Sequence, residues 1–357
     1  MINVESKYLL MRKNKEVAVI GIIHKDFGGY IHCEEILDKY ALPYGTKNAA
    51  NIDNALTYWN DSRCIPLGRP NYDKVLAAFS AKNSNDLIPF AHMASLTDNY
   101  WFKKDNSNIS WEDISFRHNG KCSDLYKTMI FDVKESVNGK LGTPDLTTDG
   151  AIPKFWARRD DNFVLLKSSM GNMPMDVLNE VIASEILTQL NILHVSYSVT
   201  DVNGIYFSEC PCFITSDKYE FVPTNNLLMD NFYATTNDYL DTMCKFGFMR
   251  QVEEMKLCDM LIGNTDRHAK NYGQIVDSDT HRVLCLAPLF DQGSCNFYLQ
   301  TLNKRQIYRP TNMTFLETAE RLNDRVREYL NRLDFNRIND CLSKIPLTIV
   351  RRESQRL

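Results

Sequence analysis

The chain has 357 residues, 44% hydrophobic and 24% charged, with a formal net charge of −4. That balance describes a folded globular protein and excludes a disordered one. The small negative charge gives no support to a nucleic-acid or anionic-membrane surface, and no window approaches the apolar length needed to cross a bilayer.

The opening residues, Met1 to Lys7, carry no secretory pattern, so the expected location is cytoplasmic. Tyr8–Met11 and Val17–Ile23 read as two strands around the polar turn Arg12-Lys13-Asn14-Lys15. Ala55–Trp59 and Tyr72–Phe79 read as helical, with Pro66 and Pro70 in the loop between them. The aromatic stretches Ser95–Phe102 and Ser110–Ile114 read as anchors of a small core rather than as an interaction face. Residues 1–125 carry no catalytic signature. The ten cysteines are scattered, the closest pair being Cys210-Pro211-Cys212, and read as free thiols rather than as disulfides or a zinc site.

Near Lys127 the character changes. Met129–Val133 reads as a strand, followed by Gly139–Gly142, the polar run Thr143–Asp149, and Gly150-Ala151-Ile152-Pro153-Lys154. A glycine-bearing loop lets backbone N–H groups approach phosphate without interference from Cβ. It matches neither Walker A nor the kinase glycine pattern, and without its neighbours it reads as an ordinary hairpin turn. A hairpin, Lys154–Ala157 and Phe163–Lys167, then places Lys167 at the end of an apolar strand. The following helix has Asp176 as its expected N-cap and Leu178, Val181, Ile182, Ile186, Leu187 and Leu190 as its core stripe. It carries Glu180 and, as a fallback, Glu185. A strand-end lysine paired with an acid on the next helix is how kinases hold nucleotide phosphates. Strands His194–Thr200 and Gly204–Ser208 lead into Cys210–Ile214, where a chain crossing between two lobes meets a base.

Beyond residue 215 helical patterns dominate. They include Asp238–Met243, Met249–Ile262, a capping box Thr314-Phe315-Leu316-Glu317 opening a helix to about Leu333, and Phe335–Ile345. Directly after Ile262 comes Gly263-Asn264-Thr265-Asp266-Arg267-His268-Ala269-Lys270-Asn271. A strand–turn–strand pattern follows (272–276, 277–280, 282–286), then Asp291-Gln292-Gly293. Phosphoryl transfer needs a carboxylate to hold the acceptor hydroxyl and further oxygens to hold Mg²⁺ against the nucleotide. Asp266 and Asn271 have the five-residue separation of the kinase base and metal-binding Asn, and Asp291-x-Gly supplies the second metal motif. His268 follows the base instead of preceding it in the usual His-Arg-Asp order.

The run from Gly263 to Asn271 with Asp291-x-Gly293 resembles the signature of the HipA family of bacterial serine/threonine kinases, and more distantly the lipid-kinase branch of the same fold. Gly150-Ala151-Ile152-Pro153-Lys154 resembles the loop over the nucleotide in that family. The resemblance covers roughly residues 126 to 333. It implies an α+β, bilobal, protein-kinase-like fold: accessory region 1–125, strand-rich N-lobe 126–215, helical C-lobe 216–357. It also implies ATP- and Mg²⁺-dependent transfer to a Ser or Thr hydroxyl of a protein. Asp266 would serve the hydroxyl, while His268 stabilises the loop or touches the γ-phosphate. Asn271 and Asp291 would ligate metal, Lys167 would hold phosphates, and Glu180 would position Lys167. Thr148, Asp149, Gly150, Ala151 and Lys154 would close over the nucleotide, and Cys212 and Phe213 would meet adenine. At this last point the chain departs from the family, which often has a charged residue where Cys212 stands. The resemblance further implies a toxin silenced by an antitoxin protein, with autophosphorylation on Thr147 or Thr148 disfavouring ATP. No helix-turn-helix pattern is present, so DNA contact is expected only through a partner, and no membrane contact is expected. Asp-x-His-x-x-Asn also permits a lipid or small-molecule kinase. A non-catalytic nucleotide-binding interaction module is the third reading, and the full set of acidic residues stands against it.

Overall fold

The computed structural model describes residues 7–120, 143–169, 174–229, 234–295 and 320–343. The strand read at 129–133, the glycines at 139–142 and the capping box at 314–317 lie outside these residues.

Strands β1 (Lys7–Arg12), β2 (Lys15–Lys25), β3 (Gly28–Ile36) and β4 (Tyr100–Lys104) form an antiparallel sheet in the order β3-β2-β1-β4. Leu10 pairs with Ala18 on one side and Phe102 on the other. Val17 to Ile23 is buried almost throughout, so β2 reads as a continuous apolar run rather than an alternation. The expected hairpin is present, and β3 adds a strand that the sequence pattern did not announce. Its outer half, His32 to Ile36, runs from half-buried to exposed, with Glu34 and Glu35 in solvent beside an exposed Ile36, which hides the period of two. Helix α1 (Ile52–Arg63) opens on Asn51, whose side chain accepts from Asn54 N at 3.0 Å. Asp53 in its first turn accepts from Cys33 N at 2.8 Å and so pins the helix to β3. Helix α2 (Tyr72–Ala78) follows, and the aromatics Trp101, Phe102 and Trp111 are buried as core anchors.

A second antiparallel sheet, in the order β5-β6-β8-β7, contains β5 (Lys154–Arg159), β6 (Asn162–Lys167), β7 (Ser198–Val202) and β8 (Ile205–Pro211). The last two sit later in the chain than the sequence pattern suggests. The turn between them, Asn203 and Gly204, has φ of 55° and 80°, the positive-φ pair that suits a two-residue hairpin. Helix α3 (Met175–Gln189) joins the two halves of this sheet. Asp176 is not its N-cap: the helix starts at Met175 behind Pro174, and Asp176 lies inside the first turn. Proline's fixed φ suits a helix entry, so the helix starts two residues nearer the N-terminus than expected.

One apolar cluster includes Leu10, Ile20 and Leu56 from the first sheet and α1, and also Phe155, Leu166 and Phe207 from the second. The accessory region and the N-lobe therefore share a core, in which each fully buried Leu, Ile or Phe contributes about 1.5–3 kcal/mol.

The C-terminal half holds β9 (Tyr219–Pro223), β10 (Gly273–Asp277) and β11 (Val283–Leu286), ordered β11-β10-β9. Its helices are α4 (Thr236–Met243), α5 (Met249–Ile262), α6 (Asn323–Arg332) and α7 (Phe335–Ser343). In the turn after β10, the Asp277 carboxylate accepts from Asp279 N, Thr280 N and Thr280 Oγ1. The accessory region also grips this half directly: Arg12 forks onto Glu220 at 3.0 and 3.1 Å, and Phe221 N donates to Thr97 O at 2.8 Å. The result is a mixed α/β architecture, strand-rich first and helical later. Among the described residues no helix is long and apolar enough to cross a membrane.

Candidate active site

Where the sheets and the loop after α5 converge there is a cavity of about 500 Å³. Its lining brings together residues far apart in sequence: the 148–152 loop, Lys154, Lys167, Asp266, Asn271 and Asp291.

Lys167, at the end of β6, is buried and its Nζ donates to both Glu180 and Asp291. Burial works against its charge, but the two carboxylates more than offset this and hold its pKa above the ordinary lysine value. Asp291 shows the converse. Burial alone would raise its pKa, yet Lys167 and Lys154 pull it below the usual carboxylate range. Glu180 faces inward from α3, and its other oxygen accepts from Gln292 N at 3.0 Å, so one side chain fixes both the lysine and the Asp-x-Gly backbone. The fallback Glu185 is elsewhere, paired with Arg337 at 3.0 Å. Asp291 holds a left-handed φ of 61°, and Tyr197 Oη accepts from its N–H at 3.1 Å.

Helix α5 closes on Gly263, whose φ of 63° turns the chain into the 264–271 run. Asp266 is exposed to the cavity, and its carboxylate has no hydrogen-bond partner among the described residues. Partial desolvation in the cleft raises its pKa; His268 opposes this and Asp291 adds to it. His268 Nδ1 accepts from Lys270 N at 3.3 Å, which leaves Nε2 to carry the proton as a donor. Asn271 Nδ2 donates to Asp266 O at 3.2 Å, which leaves the Asn271 amide oxygen as an acceptor. Asn271 and Asp291 thus offer two hard oxygens at one cavity, a set that fits Mg²⁺ sharing its remaining positions with phosphate and water. No cluster of three or more His, Cys, Asp or Glu suited to a metal occurs among the described residues.

Over these groups lies the loop 148–152. Gly150 has φ of 98°, and a Cβ there would come within 2.2 Å of Lys154 Nζ. Lys154 is buried and donates to Asp149 O at 2.9 Å. Its burial, with Arg69 and Lys167 near it, lowers its pKa to about 7, against the pull of Asp291 and Asp149. Asp149 Oδ2 lies 3.1 Å from Lys270 Nζ. Thr147 is buried, its hydroxyl donating to Ala94 O at 2.6 Å. The Thr148 hydroxyl donates to Pro144 O and accepts from Trp156 Nε1, each at 2.7 Å. Phosphate transfer to either hydroxyl requires it to leave these partners.

At the other end of the cavity are Cys212 and Phe213. Cys212 N is spent on Phe163 O at 2.8 Å, and its thiol donates to Ile214 O at 3.2 Å. Its N–H and thiol are therefore both spent within the protein, and the lining there includes the rings of Phe213, Phe221 and Phe290. Phe213 stacks on Phe290 at 5.5 Å, and Phe221 meets both edge-on. Phe290 and Phe221 did not stand out in the sequence, because only the fold brings β9 and the residue before Asp291 to the same wall. Arg267 was also missed. It is fully buried, bonded to Asp259, the Asn271 and Phe290 carbonyls and Gln292 Oε1, and so ties the 264–271 run to the Asp-x-Gly segment. Nothing local marks an arginine inside a polar loop as buried.

The sequence matches no protein-family model and no curated protein. Among solved structures, the toxin–antitoxin complex of HipA, HipB and operator DNA from Shewanella oneidensis MR-1 is similar at TM-score 0.59 and 11% identity, over 95% of this chain and 91% of that one. The Helicobacter pylori proinflammatory kinase CtkA is similar at TM-score 0.43 and 19% identity, over 54% of this chain and 83% of that one. The chain has a HipA-like kinase fold.

Proposed function

We propose that this protein is an ATP- and Mg²⁺-dependent kinase that phosphorylates a Ser or Thr hydroxyl of a protein. The observation that carries this reading is Lys167 bound to both Glu180 and Asp291, with Lys167 and Asp291 lining one cavity together with Asp266 and Asn271. Magnesium, when bound, would neutralise charge on the phosphates. Lys167, held by Glu180, keeps an ammonium where α and β phosphates would lie. Asp266, whose carboxylate has no hydrogen-bond partner among the described residues, accepts the hydroxyl proton or orients the hydroxyl for in-line attack. His268 donates through Nε2 toward the transferred group rather than acting as base. The cluster of Phe213, Phe221 and Phe290 offers the base a stacking wall.

By analogy with the HipA, HipB and DNA complex, we place this chain in a toxin–antitoxin pair, located in the cytoplasm and silenced by a protein partner. The expectation that the chain itself touches no nucleic acid gains no support from that complex. Autophosphorylation at Thr147 or Thr148 belongs to the same proposal. The test is incubation with γ-labelled Mg-ATP and a cell lysate, beside a lipid and small-molecule mixture. Label on protein supports this reading. Label on lipid or metabolite replaces it with a small-molecule kinase, and nucleotide-dependent melting with no transfer replaces it with a non-catalytic module.

A further inference from the structure

The accessory region supplies a side chain to the back of the 148–152 loop. Arg69, in the connection between α1 and α2, is 2% exposed. Its Nε donates to Gly150 O at 2.9 Å, and a terminal nitrogen donates to Thr148 O. Two further bonds fasten the same stretch to the accessory region: Ile65 N to Leu146 O at 3.1 Å, and Thr147 Oγ1 to Ala94 O at 2.6 Å.

A trans peptide is planar, so its N–H points opposite to its C=O. The Thr148 carbonyl belongs to the peptide that carries Asp149 N–H, and the Gly150 carbonyl to the one that carries Ala151 N–H. One planar guanidinium gripping both carbonyls therefore turns both N–H groups the other way. Asp149, Gly150 and Ala151 line the cavity and Arg69 does not, so the other way is inward. Neither N–H donates to an acceptor among the described residues. Gly150, at φ 98°, is the residue that lets the two peptides present their donors side by side.

Taking the cavity as a nucleotide site, we propose that Arg69 is a positioning residue: it aims the Asp149 and Ala151 N–H groups into the cleft as a backbone cradle for nucleotide phosphate. The accessory region is then part of the phosphate-binding machinery, acting from behind the loop and without touching the ligand. Its contribution is selective. Phosphates feel the cradle, whereas the base and ribose do not.

That selectivity supplies the test. The full-length protein and its Arg69→Ala and Arg69→Lys variants are titrated with Mg-ATP and with adenosine, which has no phosphate, and their melting curves are compared. Arg69→Ala weakens Mg-ATP binding by about tenfold or more, as expected for loss of a charge-assisted fork, and leaves adenosine affinity unchanged. Arg69→Lys falls between, because one ammonium does not span both carbonyls with the guanidinium's geometry. If Arg69→Ala does not fold, Arg69→Lys carries the comparison alone. Equal losses for ATP and adenosine overturn the proposal in favour of a merely structural arginine, and unchanged ATP affinity overturns it outright. Wild-type protein that binds no Mg-ATP overturns the nucleotide reading and the cradle together, a result distinct from either of these.

Discussion

Lys270 Nζ lies 3.1 Å from Asp149 Oδ2, which joins the 264–271 run to the loop over the cavity. Both side chains are about one-third exposed, so the pair is a latch and not a buried bolt. Such pairs are worth up to about 1 kcal/mol, or roughly fivefold in an equilibrium. Lys270→Met is expected to speed release of a fluorescent ATP analogue by about that factor, and doubling the salt is expected to shrink the difference. Stopped-flow displacement reads both. Identical release rates in the two proteins contradict the latch.

The contacts around Lys167 lead to a stability prediction. Removing its ammonium in Lys167→Met leaves Glu180 and Asp291 side by side, at a cost of about 3–5 kcal/mol at neutral pH. Crowded carboxylates have raised pKa values in the folded state. The variant's deficit relative to wild type is therefore smallest in acid and grows as pH rises through those values. Urea denaturation of Lys167→Met at acid and neutral pH measures this. Stability equal to wild type at neutral pH removes Lys167 from the centre of the site.

Lys154 links the cavity to pH. Arg69 and Lys167 disfavour its charge, Asp291 and Asp149 favour it, and burial brings its pKa to about 7. Phosphate arriving beside it would raise that value. A base whose pKa rises on binding contributes affinity that is fully present below the free-state pKa and is lost as pH climbs through the bound-state one. Mg-ATP binding is thus expected to take up protons above pH 7 and to weaken with rising pH, and Lys154→Met is expected to abolish the uptake. Calorimetry in two buffers of different ionisation enthalpy detects it. Wild-type binding without proton uptake runs against the assignment.

Asn271→Ala removes one hard oxygen without disturbing Lys167, whereas Asp291→Asn removes an oxygen and a lysine partner together. Both variants are expected to need at least about tenfold more Mg²⁺ for nucleotide binding, and only Asp291→Asn is expected to change the protein's stability without ligand. An unchanged Mg²⁺ requirement in both contradicts the metal roles.

Much of the cavity's polar lining was legible because its residues stand in short runs. The spacing of Asp266, Asn271 and Asp291 needs only a helix end and a hairpin to converge, and Lys167 with Glu180 needs only a strand and the next helix. What stayed hidden rests on pairs with no local period. Arg12 meets Glu220 across 208 residues, and Arg69 reaches the 148–150 carbonyls from a loop with no motif of its own. Burial decides such pairs, and burial follows from the shared core of the accessory region and N-lobe. The same logic explains β3, whose solvated half hid its period, and the entry to α3, where Pro174 displaced Asp176 as the start signal.

In the proposed phosphoryl transfer Asp266 serves the acceptor hydroxyl. The most direct measurement is transfer of label from γ-labelled Mg-ATP to lysate protein by wild type and Asp266→Asn, with ATP affinity measured on both. Transfer by the wild type, its loss in Asp266→Asn and nearly equal ATP affinity are expected. Transfer that survives in Asp266→Asn, or ATP affinity that collapses along with it, would remove Asp266 from this role.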